Sequence, residues 1–194
     1  MTPQLEDLVT RVGIATNRPH LHDEALTAVI DATAWYHQLG LFWRDYTEAL
    51  FVLAAGPGVE HTVSLEQVPR MRTVASVAAY SMECGRVLYP LTQVKSMRPL
   101  KCDEFRAFDK SVHIESCRPQ RAYRIGYYQY PDLLPASFSS WVADLYPGMV
   151  VDAALLRMYE HLKDAGAAQM YSVRVGRPGI PGTNAAVFIQ NQVE

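Results

Sequence analysis

The hydrophobic period of this chain changes twice along its length, and that change bounds the folds open to it. Over residues 20–39 apolar positions recur at helical spacing, with Leu26, Val29, Ile30, Thr33, Tyr36 and His37 on one face. The period fades over 47–130. It returns with Phe138, Val142 and Leu145, and again with Val151, Ala154, Leu155, Met158 and Leu162. Turn residues punctuate the pattern: Asn17-Arg18-Pro19 precedes the first long helix, Gly40 follows it, Tyr146-Pro147-Gly148 divides the later pair, and Gly166 ends it. A shorter helix is expected over 4–12.

In the central stretch, β-favouring runs at 49–54, 59–65, 74–80, 87–94, 112–116 and 122–129 lie between Gly56-Pro57-Gly58, Cys84-Gly85 and Arg98-Pro99. Residues 71–83 read as strand or, in part, as helix. The expected fold is therefore α+β. An α-helical bundle is built from 1–46 and 131–169, a small antiparallel β-sheet module is inserted over 47–130, and an extended C-terminal arm covers 170–194. The arm rests on Gly176-Arg177-Pro178-Gly179-Ile180-Pro181-Gly182, whose glycines and prolines oppose a helix. The apolar run Ala185-Ala186-Val187-Phe188-Ile189 then reads as a strand that pairs either with its own sheet or with a neighbouring subunit.

A chain of 194 residues, 49% hydrophobic and 20% charged, has the balance of one globular domain and is too apolar for a disordered one. Cys84, Cys102 and Cys117 are odd in number and lack CxxC spacing, so reduced thiols in a cytosol are expected. Cys102 and Cys117 can meet across the inserted sheet, but are expected to stay unbridged. The first residues carry Glu6 and Asp7 where a signal peptide is basic, and no apolar run reaches the roughly eighteen residues of a membrane span. Neither secretion by that route nor a membrane partner is expected.

Charge is unevenly spread. Residues 1–85 hold 5 basic and 10 acidic side chains, 86–124 hold 9 and 4, and 125–194 hold 4 and 6. The locally basic middle, which includes Arg118, Arg121 and Arg124, is either a solvated face, a contact for an acidic protein surface, or a phosphate contact.

No assembled chemistry is legible. Neither GxGxxG nor GxxxxGK[ST] follows the Gly56 turn, so the common phosphate-cradling loops are excluded. His20 and His22 diverge around a helix start without a third metal ligand at recognisable spacing. His37 reads as a buried, backbone-bonded histidine, and His61, His113 and His161 stand isolated. The adjacent acids Asp23/Glu24 and Asp103/Glu104 point apart on a helix and build no catalytic dyad. No catalytic residue, cofactor or metal is assigned, and the chain is expected not to be an enzyme. By contrast Phe42, Trp43, Arg44 and Asp45 form a compact aromatic and charged corner suited to anchoring the helix end or a subunit interface.

The stretch from Ala28 through Trp35-Tyr36-His37 to Phe42-Trp43-Arg44-Asp45 resembles a segment of tailed-bacteriophage neck proteins. Leu134-Pro135-Ala136-Ser137-Phe138, leading into Trp141-Val142 and the helix over 151–162, is similar to the late helices of head-to-tail adaptors, including the tubular tail adaptors of short-tailed phages. The resemblance implies a non-enzymatic virion protein made in the host cytoplasm. It implies a homo-oligomeric ring, a dodecamer, seated between portal protein and a downstream tail or nozzle protein. DNA would pass through its channel without sequence-specific contact. Val187, Phe188 and Ile189 would then anchor the arm on the portal, and Phe42 to Asp45 with Arg118, Arg121 and Arg124 would supply subunit contacts. Two other functions fit the residues. One is sequence-independent nucleic-acid binding through the basic module with Tyr123, Tyr127, Tyr128 and Tyr130 as stacking surfaces. The other is a small-molecule enzyme with its site in the Trp35–Trp43 region.

Overall fold

A computed structural model describes residues 1–54 and 56–192. It divides into two compact units, one made of Met1–Arg44 with Tyr130–Glu194 and the other of Asp45–Gln129.

The helical unit opens with α1 (Pro3–Thr16), which carries Pro3 in its first turn and ends on Asn17 in the left-handed conformation, φ 52°. Helix α2 (His22–Gln38) follows, with Asp23 and Glu24 in its first turn complementing the helix dipole. After the strand unit come α3 (Trp141–Leu145) and α4 (Pro147–His161). Ser140 caps α3 by accepting from the Ala143 amide, 3.3 Å away. Leu5, Val12, Val29, Tyr36, Val142, Val150 and Met158 are all enclosed in one core.

The extended arm over 170–194 is not what forms. Asp164 accepts from the Ala167 amide and starts α5 (Ala165–Val175), so Gly166 lies inside a helix rather than ending one. Beyond the Gly/Pro-rich turn, Thr183 caps α6 (Asn184–Gln190), and the run Val187-Phe188-Ile189 is helical. The Thr183 cap outweighs the β-favouring side chains that follow it, because a satisfied helix start fixes the backbone of a short segment. Asp152 of α4 holds both new helices: its Oδ2 pairs with Arg174 at 3.1 Å and accepts from Asn184 at 2.9 Å.

The inserted module is likewise larger than one small antiparallel sheet. Strands β1 (Tyr46–Val52), β2 (Gly58–Ser64), β3 (Met71–Ser81), β4 (Arg86–Pro90), β5 (Thr92–Gln93), β6 (Glu104–Phe108), β7 (Ser111–Gln120) and β8 (Ala122–Gln129) form two four-stranded sheets. Their orders are β1-β8-β3-β4 and β2-β7-β6-β5, and the β5–β6 pair is parallel. The chain is mixed α/β, with six α-helices among the described residues. Residues 71–81 are strand throughout. Strand β6 went unseen in the sequence because Lys101, Asp103, Glu104, Arg106, Asp109 and Lys110 hide a period-two pattern in which Phe105 turns inward. Asp103 and Glu104 thus sit at a strand start and not on a helix.

Val63, Val74, Val77, Phe105, Ile114, Tyr123 and Ile125 belong to one apolar cluster fed by both sheets, so the unit is a sandwich. Gly126 has a packing reason. A Cβ there would collide with the hydroxyls of Tyr46 on β1 and Ser76 on β3, which meet over it at 3.1 Å.

Candidate functional site

The residues singled out for contact separate into inward and outward groups. Phe42 is enclosed in the helical core, whereas Trp43 is 66% exposed, with the Arg44 guanidinium 4.4 Å over its ring. Asp45, at the start of the strand unit, is buried. Only the Trp43–Arg44 half of that corner is available to another molecule.

Phe188 is fully buried and is the hub of an aromatic cluster, a correction to its role as an external anchor. It stacks on Trp141 at 5.7 Å and meets Tyr36, Phe42 and Tyr146 edge-on at 5.0, 5.2 and 5.5 Å. Burial, with the Asp152 carboxylate adding to it, pushes the Tyr36 hydroxyl above its ordinary range. Ile189 is half-buried against the same core, and Val187 faces solvent. The helical period explains the division: in a strand Phe188 would point opposite to both neighbours, whereas in α6 the three fan around the axis.

The sequence reading missed α5. It buries only Val175 of its 11 residues, and Met170 and Val173 are 53% and 71% exposed. Ile180 in the following turn is also exposed. The signal was present as Asp164 before an Ala-rich run, but Gly166 within that run and Gly176 after the helix masked it.

In the strand unit the basic module is partly neutralised by its own neighbours. Arg98 grips Glu104 through two hydrogen bonds of 2.6 and 2.8 Å. Those bonds, with the Lys101 amide, hold the Glu104 carboxyl down to about 2. Arg124 lies 3.4 Å from Glu48 and over the Tyr80 ring. Arg118 and Arg121 are exposed and make no ion pair among the described residues. Tyr123 and Tyr127 are core residues, so two of the four stacking surfaces are closed to a nucleic acid. Burial pushes the Tyr123 hydroxyl up to about 12.

One juxtaposition was not legible in the sequence. His37 Nε2 lies 2.9 Å from Ser140 Oγ, a distance compatible with a nucleophile and its base. Both side chains are enclosed, 1% and 2% exposed, and the serine oxygen already accepts the α3 cap bond, so the arrangement braces the start of α3. The described residues also bring Cys102 and Cys117 into a disulfide, against the expectation of unbridged thiols. No protein-family model matches this chain, and no curated protein matches it significantly.

Proposed function

We propose that the chain is a structural virion protein of the tailed-phage neck, forming a homo-oligomeric ring that joins the portal to the tail and continues the DNA channel. The observation that carries this reading is α5. The helix is held to its unit by Val175, Tyr171 and Arg174 but offers Met170 and Val173 to water, and apolar surface of that kind suits a protein contact. Charge gives the contact a direction. The helical unit has 7 basic and 11 acidic residues and the strand unit 11 and 9, balances of −4 and +2. Repeated head-to-tail association needs two different complementary patches per subunit, and opposite charge improves their register.

In this scheme Trp43 and Arg44 meet a neighbouring subunit, Val187 and the α5 side chains meet the portal or the tail protein, and Arg118 and Arg121 face another subunit or the outside. A wall dense in arginine would retard sliding DNA through phosphate contacts. The enclosed Tyr123 and Tyr127 argue against the single-strand-binding alternative, and the enclosed His37–Ser140 pair argues against a catalytic site in the aromatic region.

The test is co-sedimentation of the purified chain with its cognate portal ring, comparing the wild type with Met170→Asp/Val173→Asp. Both substitutions are on exposed positions, so helicity and melting temperature are expected to stay close to wild type while portal association is lost. Unchanged association of a folded double variant would remove α5 from the contact.

A further inference from the structure

Two residues beyond the Glu104↔Glu115 pair, the antiparallel register of β6 and β7 brings Cys102 opposite Cys117, with their Cα atoms 4.9 Å apart. Asp103 adopts a left-handed backbone, φ 59°, which breaks the alternation of the strand and turns its carboxylate towards the pair. Its Oδ1 accepts from the Cys117 amide at 2.9 Å. The donor atoms of Cys102, Asp103 and Cys117 all lie within 4.8 Å of one another, and both cysteines are exposed. Charges of both signs surround the pair, with Lys101 and Arg118 next in sequence to the two cysteines and acids on the neighbouring strand positions. Glu115 is two residues from Cys117 on the same strand face, and it pairs across the strands with Glu60 and Glu104. Arg98 neutralises Glu104, whereas Glu60 and Glu115 make no ion pair among the described residues. Like charges directly opposite one another in a sheet are unfavourable, so a bound cation would relieve a repulsion already built in.

We propose that in the reduced protein Cys102, Cys117 and Asp103 form a three-ligand site for a thiophilic divalent cation of the zinc class, with a water in the fourth position. Two thiolates and a carboxylate are a donor set for zinc, and the sulfurs discriminate against magnesium and calcium. Tetrahedral coordination sets ligand atoms roughly 3.3 to 3.8 Å apart, which small side-chain rotations reach from the observed spacing. The disulfide is the closed form of the same site. A dithiol reductant supplies two electrons and two protons, its own sulfurs join as a disulfide, and the Cys102–Cys117 bond becomes two thiols. Metal binding then releases both thiol protons to solvent.

The experiment uses the full chain, reduced with a phosphine, desalted without oxygen and titrated with Co2+. The reduced protein is expected to titrate three thiols and to bind one Co2+, with a sulfur-to-cobalt charge-transfer band in the near ultraviolet that Zn2+ removes. The band should be absent from the oxidised chain and from Cys102→Ser/Cys117→Ser, and weakened in Asp103→Asn, whose thiols are intact. A reduced wild type with three free thiols and no such band would overturn the site. So would a band that survives in the oxidised chain, or one retained by the double serine variant, which would place the metal on Cys84.

Discussion

The two units bury their cores with differently arranged parts of the chain. The strand unit draws Val74, Phe105, Ile114 and Ile125 from the single continuous stretch Asp45–Gln129. The helical unit draws Val29 and Tyr36 from before that stretch, and Val142, Met158 and Phe188 from after it. Continuous units close their contacts over short loops, whereas a discontinuous one needs residues far apart in sequence before its core exists. The difference also falls on function: the discontinuous unit leaves α5 poorly covered, and the continuous one keeps the thiol site and, among the described residues, exposed arginines without an ion pair that include Arg118 and Arg121.

Substitution of the hub of the discontinuous core should have the largest effect. Phe188→Ala is expected to destabilise the helical unit by about 3–5 kcal/mol, seen as an earlier helical transition in denaturant-induced unfolding. Val187→Ala, one residue away on the exposed side, is expected to change stability by less than about 0.5 kcal/mol. Equal effects at the two positions would dissolve the distinction between core and surface on α6.

Next comes the joint between α5 and α6. Gly176 has φ 62°, and any Cβ there would collide with the side chain of Thr183, the cap of α6. Gly176→Ala combines backbone strain with that collision and is expected to cost about 2–3 kcal/mol, again in the helical transition. The strand unit has its own counterpart in Gly126→Ala, where the Tyr46 hydroxyl can swing outward at the loss of its bond to Ser76. A cost of about 1–2 kcal/mol is expected, confined to the strand transition. A loss in the helical transition instead would contradict the separation of the two units.

The smallest effect is a titration. Glu104 has its pKa lowered in the folded chain, so its ion pair stabilises the strand unit above the ordinary carboxylate range. The contribution is lost as pH falls from about 4.5 towards about 2. Carboxyl carbon chemical shifts should place the Glu104 midpoint near 2, and Arg98→Ala should raise it towards the ordinary carboxylate range, with the Lys101 amide still holding it below that range. A midpoint unchanged by that substitution would refute the Arg98 assignment.

The sequence made the long helices legible because their faces are long and periodic, and α2 runs His22–Gln38 where the spacing placed a helix over 20–39. What it hid had local causes. Charged residues on the outward face masked β6, a Gly/Pro run drew attention away from the Thr183 cap, and cap signals weighed less than the β-favouring Val187-Phe188-Ile189. The contact corner was visible as a cluster, but Phe42 and Trp43 face opposite environments, which adjacency in sequence cannot reveal. The Cys102–Asp103–Cys117 grouping depends on β6–β7 register, and register is invisible when one of the two strands has not been found.

The adaptor reading is tested most directly by mass photometry of the wild-type chain mixed with its intact cognate portal ring, alongside each component alone. A discrete mass increment of about a dozen subunits, reached at saturation and with no larger species, is the expected result for a closed ring. No association at any mixing ratio would contradict the account.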